Sequence, residues 1–173
     1  MVAVAVVGLG GCAGSDTYVA DSDNSGGVAA TLGWHAIDPS VAVEIDTSHP
    51  LGSASAPDVD GVVLVNIWAS YCKPCVQEMA LLQRAASTGL VRVLGLSRDR
   101  SSDYALSALR KRKATYPNWM DTAGQFSSAL DGAVPLMAIP SSVLVKDGKA
   151  VAAHIGEISS TEDIRAGIAE YAQ

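Results

Sequence analysis

Two cysteines spaced Cys-x-x-Cys, in Cys72-Lys-Pro-Cys75, are the residues of this chain whose types and spacing could do chemistry. Residues i and i+3 share one face of a helix, so the two sulfurs can close a disulfide with little backbone movement. Before them runs Val62-Val-Leu-Val-Asn-Ile-Trp68, a continuous apolar stretch that suits a strand buried on both faces, and an amphipathic stretch follows. The thiols are therefore expected where a central strand hands over to a helix. The first turn of a helix has unpaired N–H groups and a partial positive charge, which favour a thiolate over a thiol. Cys72 gains most from this, and its pKa is expected to fall from about 8.5 into the range of roughly 3.5 to 7.5, making it the attacking nucleophile. Lys73 adds positive charge, and Pro74 starts the helix with a φ that is already helical. Cys75 is the resolving partner. Glu78 falls on the face of Cys75, one turn deeper; if buried, its carboxyl has a raised pKa and can exchange a proton with the resolving thiol.

The elements that must hold these groups follow from pattern. After the strand 62–68 and a helix from about Lys73 to Ser87, Leu90 to Ser97 reads as a second strand. Asp99 to about Lys113 reads as a helix whose basic end, Arg110-Lys-Arg-Lys113, complements the helix dipole. Asp121 or Thr122 can cap a short helix through Leu130. Ile139 to Lys146, the turn Asp147-Gly148 and Lys149 to Ile155 form a hairpin. Ser159-x-x-Glu162 has the form of a capping box opening a last helix with Ile164 and Ile168 on one face. Upstream, Trp34 to Pro57 is weakly patterned, with Val41 to Ile45 as a short edge strand. The parallel start and the antiparallel hairpin together predict an α/β fold with a mixed central sheet and helices on both faces. Cys-x-x-Cys beside a βαβ pattern is the redox reading; a zinc site needs more ligands, and His35, His49 and His154 are far off in sequence.

With 173 residues, 49% of them hydrophobic, the chain has one domain's length and a proper core. Its net charge of −6 sits at one end: residues 1–57 hold Asp16, Asp21, Asp23, Asp38, Glu44 and Asp46 and no Lys or Arg. No clustered basic face argues for nucleic acid. The third cysteine, Cys12, ends Leu9-Gly-Gly-Cys12 after an apolar run from Val2, which resembles a bacterial lipobox, whose cysteine is lipidated after removal of the prefix. The division expected is a signal prefix over 1–11, a lipidated tether and N-terminal extension over 12–57, with 13–33 small and polar, and the folded domain over 58–173. A lipid anchor at Cys12, or else secretion, places the chain outside the cytoplasm, where disulfides are ordinary.

Residues 58–173 resemble the thioredoxin fold, and within it the TlpA/ResA-like extracytoplasmic thiol–disulfide oxidoreductases. The resemblance rests on Val63-Leu-Val-Asn-Ile-Trp-Ala69, on Cys72-Lys-Pro-Cys75, on Glu78 three residues past the second cysteine, and on Pro140-Ser-Ser before the hairpin. Cytosolic thioredoxins usually have a buried aspartate where this chain has Asn66. The resemblance implies a cis Ile139–Pro140 bond that frees the Ile139 backbone to pair with a substrate peptide beside Cys72. Pro140 is preferred to Pro135 because a strand follows it at once. Trp68, Tyr71, Ile139 and Pro140 are the candidate substrate-binding residues. No cofactor or metal is needed; the expected partners are a disulfide-bonded protein and a membrane thiol donor, met as a monomer. The implied role is reductive, such as keeping haem-binding cysteines of apocytochrome c reduced. An oxidase of secreted proteins, or a non-catalytic thioredoxin-like module or copper chaperone, are the alternatives.

Overall fold

The computed structural model describes residues 32–55 and 57–173. The prefix 1–11, Cys12 and the tether up to residue 31 lie outside the described residues. Among the described residues seven strands form one sheet: β1 (Gly33–Ala42), β2 (Pro50–Leu51), β3 (Val62–Trp68), β4 (Arg92–Ser97), β5 (Asn118–Met120), β6 (Ser141–Lys146) and β7 (Lys149–Ile155). Four helices accompany them: α1 (Lys73–Ser87), α2 (Ser102–Arg112), α3 (Gln125–Ser128) and α4 (Thr161–Tyr171). Across the sheet the strands lie in the order β1-β7-β6-β3-β4-β5-β2. β3 is parallel to β4 and β4 to β5; every other pairing is antiparallel. This is the mixed sheet expected, and β3 and α1 begin and end where the sequence pattern puts them.

Both parallel connections step the same way across the sheet, so two right-handed crossovers place α1 and α2 on one face. Even-numbered residues of β3 face them. Leu64 packs with Leu82 and Ala85 of α1 and Ile164 of α4, and Trp68 packs with Met79 of α1 and Ala105 and Leu109 of α2. Odd-numbered Val63, Val65 and Ile67 face the other way, against Phe126 and Leu130 from α3 and its exit and Val134 beyond. Each side of β3 is therefore covered, which is why its sequence is apolar without a gap.

One register row fixes where things emerge. Gly33 of β1 pairs with Ile155 of β7, Ile155 with Ser141 of β6, and Ser141 with Ile67 of β3. The row lies one residue before Trp68, at the cysteine end of β3.

Two expectations need correction, the extent of the first strand and the capping box of the last helix. The N-terminal strand is longer than Val41–Ile45 and starts earlier, at Gly33; its pairing with β7 shifts register between Ala36 and Val41, around Pro39, which breaks the alternation that would have revealed it. β1 and β2 both lie in the 12–57 extension and are paired into the sheet. The capping box of α4 is Ser160 with Asp163, one residue on from Ser159 and Glu162; Ser159 instead donates its hydroxyl to Asp163. Asp121 does cap α3, but from a distance: its carboxylate accepts the N–H groups of Gln125 and Phe126, while Gly124 holds the N-cap position.

Candidate active site

Cys72 is the N-cap of α1, and the Cys75 N–H donates to its sulfur at 3.2 Å. Pro74 lies in the first turn, where a missing N–H costs nothing. The two sulfurs form a disulfide, with Cα atoms 5.3 Å apart. Cys72 keeps a sliver of exposure, 8%, and Cys75 none, so an incoming reagent meets Cys72 first.

The loop between β3 and Cys72 is bolted from behind by buried Asp99, which the sequence pattern put at the start of α2; the helix begins later, at Ser102, because Asp99 turns back to this loop. Its carboxylate accepts the Ser70 N–H at 2.9 Å, the Ser70 hydroxyl at 2.7 Å and the Ser97 hydroxyl at 2.9 Å. Arg98 N–H donates to the carbonyl of Trp68, extending the β3–β4 ladder to the edge of the loop.

Below the disulfide lies Glu78, 2% exposed on the buried face of α1. One carboxyl oxygen accepts Asn66 Nδ2 at 2.8 Å and the other accepts the Ile158 N–H at 3.0 Å. Asn66 also donates to the Ser142 hydroxyl at 3.1 Å, tying β3, β6 and α1 together. Burial outweighs these two hydrogen bonds, and with Glu157 adding like charge the Glu78 pKa rises to about 7. The same burial, with the Glu78 carboxyl nearby, pushes the Tyr116 phenol well above its usual range.

Trp68 requires a correction. It is fully buried, and its indole N–H donates to Asn118 Oδ1 at 2.9 Å, so the ring packs under the site and offers no surface to a substrate. Gly95 makes room for this pair, since a Cβ there would lie 1.8 Å from Asn118 Oδ1. Tyr71 is 71% exposed beside Cys72, Ile139 is half-buried, and Pro140 is buried behind a cis Ile139–Pro140 bond. The segment leading to that bond adds two residues that sequence reasoning missed, Leu136 and Met137, the latter 84% exposed. Arg98 holds it in place by donating to the Leu136 carbonyl at 2.9 Å. An apolar pair between Pro135 and Pro140 was the available signal, but it belongs to no periodic element.

The histidines are engaged elsewhere: His35 with the Ala133 carbonyl, His49 with Ser48, and His154 with the Gly156 carbonyl and edge-on to the Trp34 ring at 5.1 Å. Among the described residues no three His, Cys, Asp or Glu side chains gather into a metal-binding group.

Comparison with known proteins agrees with this geometry. A secreted thiol-disulfide isomerase from Corynebacterium glutamicum is 27% identical over 63% of this chain and 70% of its own, with a TM-score of 0.55. A DsbF homologue from Corynebacterium diphtheriae is 25% identical over 61% of this chain and 69% of its own, with a TM-score of 0.51. StoA from Bacillus subtilis shares the fold at 19% identity, over 64% of this chain and 84% of its own, with a TM-score of 0.54. No curated protein sequence matches the chain. Residues 43–168 match the Redoxin family, so a disulfide at a helix N-terminus and a mixed thioredoxin-type sheet come together in one conclusion: the chain belongs to that family and is a thioredoxin-fold thiol–disulfide oxidoreductase.

Proposed function

We propose that this protein works outside the cytoplasm as a reductant of protein disulfides, with Cys72, Cys75 and Glu78 carrying the chemistry. Cys72 thiolate attacks a substrate disulfide, releasing one substrate thiolate and forming a mixed disulfide. Cys75 then gives its proton to Glu78 and attacks Cys72 Sγ, the second substrate thiolate leaves, and the Cys72–Cys75 bond forms. Tyr71 and the Ile139 backbone ahead of Pro140 form the substrate surface. The observation that carries this reading is Glu78, a buried carboxyl one turn below the resolving sulfur that ionises at about 7. A group with that pKa can take the thiol's proton and give it up again near neutral pH.

The reducing direction follows from the TlpA/ResA resemblance, as does the service of apocytochrome c cysteines and recharging by a membrane thiol donor. A signal prefix over 1–11, a lipid anchor at Cys12, an extension to residue 57 and an oxidoreductase domain over 58–173 complete the proposal. Equilibrating the protein in glutathione or dithiothreitol buffers tests the direction. A reduction potential near about −270 mV supports a reductant, and one near about −120 mV turns the enzyme into an oxidase. Cys75→Ser, which removes the resolving thiol, should accumulate mixed disulfides with its substrates in cells; none accumulating overturns the substrate assignment.

A further inference from the structure

Glu78 has to give its proton to water, and the surface above Cys72 is where a protein substrate sits. A cavity of about 430 Å³ lies between α1 and the segment that starts α4, and none of Tyr71, Cys72, Ile139 and Pro140 lines it. Its α1 wall holds Glu78, Ala80 and Arg84; its other wall holds Glu157, Ile158 and Ser159. Glu78 and Ile158, whose N–H donates to Glu78 Oε2, both line the cleft although each is almost fully buried. Glu157 and Ala80 are exposed.

We propose that this cleft is the outlet through which the proton taken from Cys75 leaves Glu78 for solvent, with Glu157 as the relay group at its mouth. The inference rests on Glu78 being the base for Cys75, and it adds where the proton goes. When Cys75 attacks the mixed disulfide, its S–H proton passes to Glu78, the Cys72–substrate bond breaks, the substrate leaves as thiolate and the Cys72–Cys75 bond forms. Glu78 then loses the proton into water of the cleft, sideways to the docked substrate. Turnover on a large substrate therefore needs no water from the substrate face.

The groups that act on Glu78 come from several elements: Asn66 on β3, itself donating to Ser142 on β6, the Ile158 N–H and Glu157 before α4, and Tyr116 after α2. Arg84 and Glu162 lie farther along the cleft wall. Glu157 raises the Glu78 pKa by like charge, so removing that charge moves the pH midpoint of resolution downward.

The test is rapid mixing of the reduced full chain with insulin across the neutral pH range, reading the resolution step. Ala80→Trp and Ser159→Trp plug the cleft from opposite walls at exposed positions, and Glu157→Gln leaves it open but uncharged. The plugs should slow resolution on the order of tenfold. Glu157→Gln should shift its midpoint to lower pH. If Glu78→Gln changes the pH profile while both plugs match the parent, the proton leaves by another route and the outlet is overturned, whatever Glu157→Gln does to the midpoint. If Glu78→Gln itself leaves the profile unchanged, the base assignment falls and the outlet falls with it.

Discussion

Below the disulfide and around it, this protein inverts the usual distribution of polar and apolar groups. Asn66, Glu78, Asp99, Asn118 and Ser142 are buried, while Tyr71 next to Cys72 and Leu136 and Met137 ahead of the cis proline are exposed. Buried polar groups are costly unless hydrogen-bonded, and those below are tied across β3, β5, β6, α1 and the loop before Cys72 by bonds of 2.7 to 3.1 Å. The exposed apolar groups have no such partners to satisfy. Under the proposed function the difference becomes a division of labour, with the floor setting proton and sulfur chemistry and the rim meeting the substrate.

If the division is real, floor and rim variants must fail in different ways. The largest effect is expected at Gly95, where a methyl group would overlap Asn118 and drive it off Trp68. Gly95→Ala should destabilise the fold by about 3 kcal/mol or more, read as a lowered denaturant midpoint. Unchanged stability there would mean that the floor is not tightly built. Next comes Glu78→Gln, which keeps the shape and the Asn66 contact but removes the base. Turnover should drop by about 10²-fold near pH 7 with KM nearly unchanged, whereas an altered KM alone would move Glu78 to the rim class.

Glu78 also links stability to pH. Its folded pKa is raised from 4.5 to about 7, so the native state holds the proton more tightly than the unfolded chain. The stabilisation is full below pH 4.5 and is lost as pH rises through 7, a difference on the order of 3 kcal/mol relative to Glu78→Gln. Parallel stability curves for the oxidised forms of the two proteins would contradict this.

A smaller loss is expected for Trp68→Phe, which strands the buried Asn118 carbonyl oxygen: about 1 to 3 kcal/mol by urea unfolding, with substrate KM unaffected. The smallest is Met137→Ser on the rim, where Tm should hold and KM for a protein substrate should rise only a few-fold, worth about 1 kcal/mol. A loss of Tm there larger than that of Trp68→Phe would erase the distinction between the two regions.

What could be read in the sequence follows the same line. The β3–α1 unit carries its own pattern: an unbroken apolar run, a proline that starts the helix, and cysteines one turn apart. Its boundaries followed from local rules, whereas the burial of Glu78 was left conditional and comes from the packing of α1 against β3 and the Ile158 segment. The Asp147-Gly148 turn was equally plain, because both residues adopt positive φ, where Gly is at ease. What escaped depends on distant partners. Asp99 reaches back to Ser70, and Asn118 to Trp68 fifty residues earlier, and no periodicity marks either side chain. β5 is three residues long, too short for alternation to show, and β1 hides behind its register shift at Pro39. Trp68, placed on the substrate surface from its nearness to the thiols, turns inward because it is an even-numbered residue of β3, on the face that α1 and α2 cover.

The row of pairings from Gly33 through Ile155 and Ser141 to Ile67 has a mechanical meaning. The first described strand starts at the same pole from which Cys72 looks out. Any mooring upstream of Gly33 would hold the molecule by its reactive pole rather than by its back. A redox partner seated in the same surface would then find the thiols on its own side, and handing over electrons would take a swivel of the domain rather than a somersault.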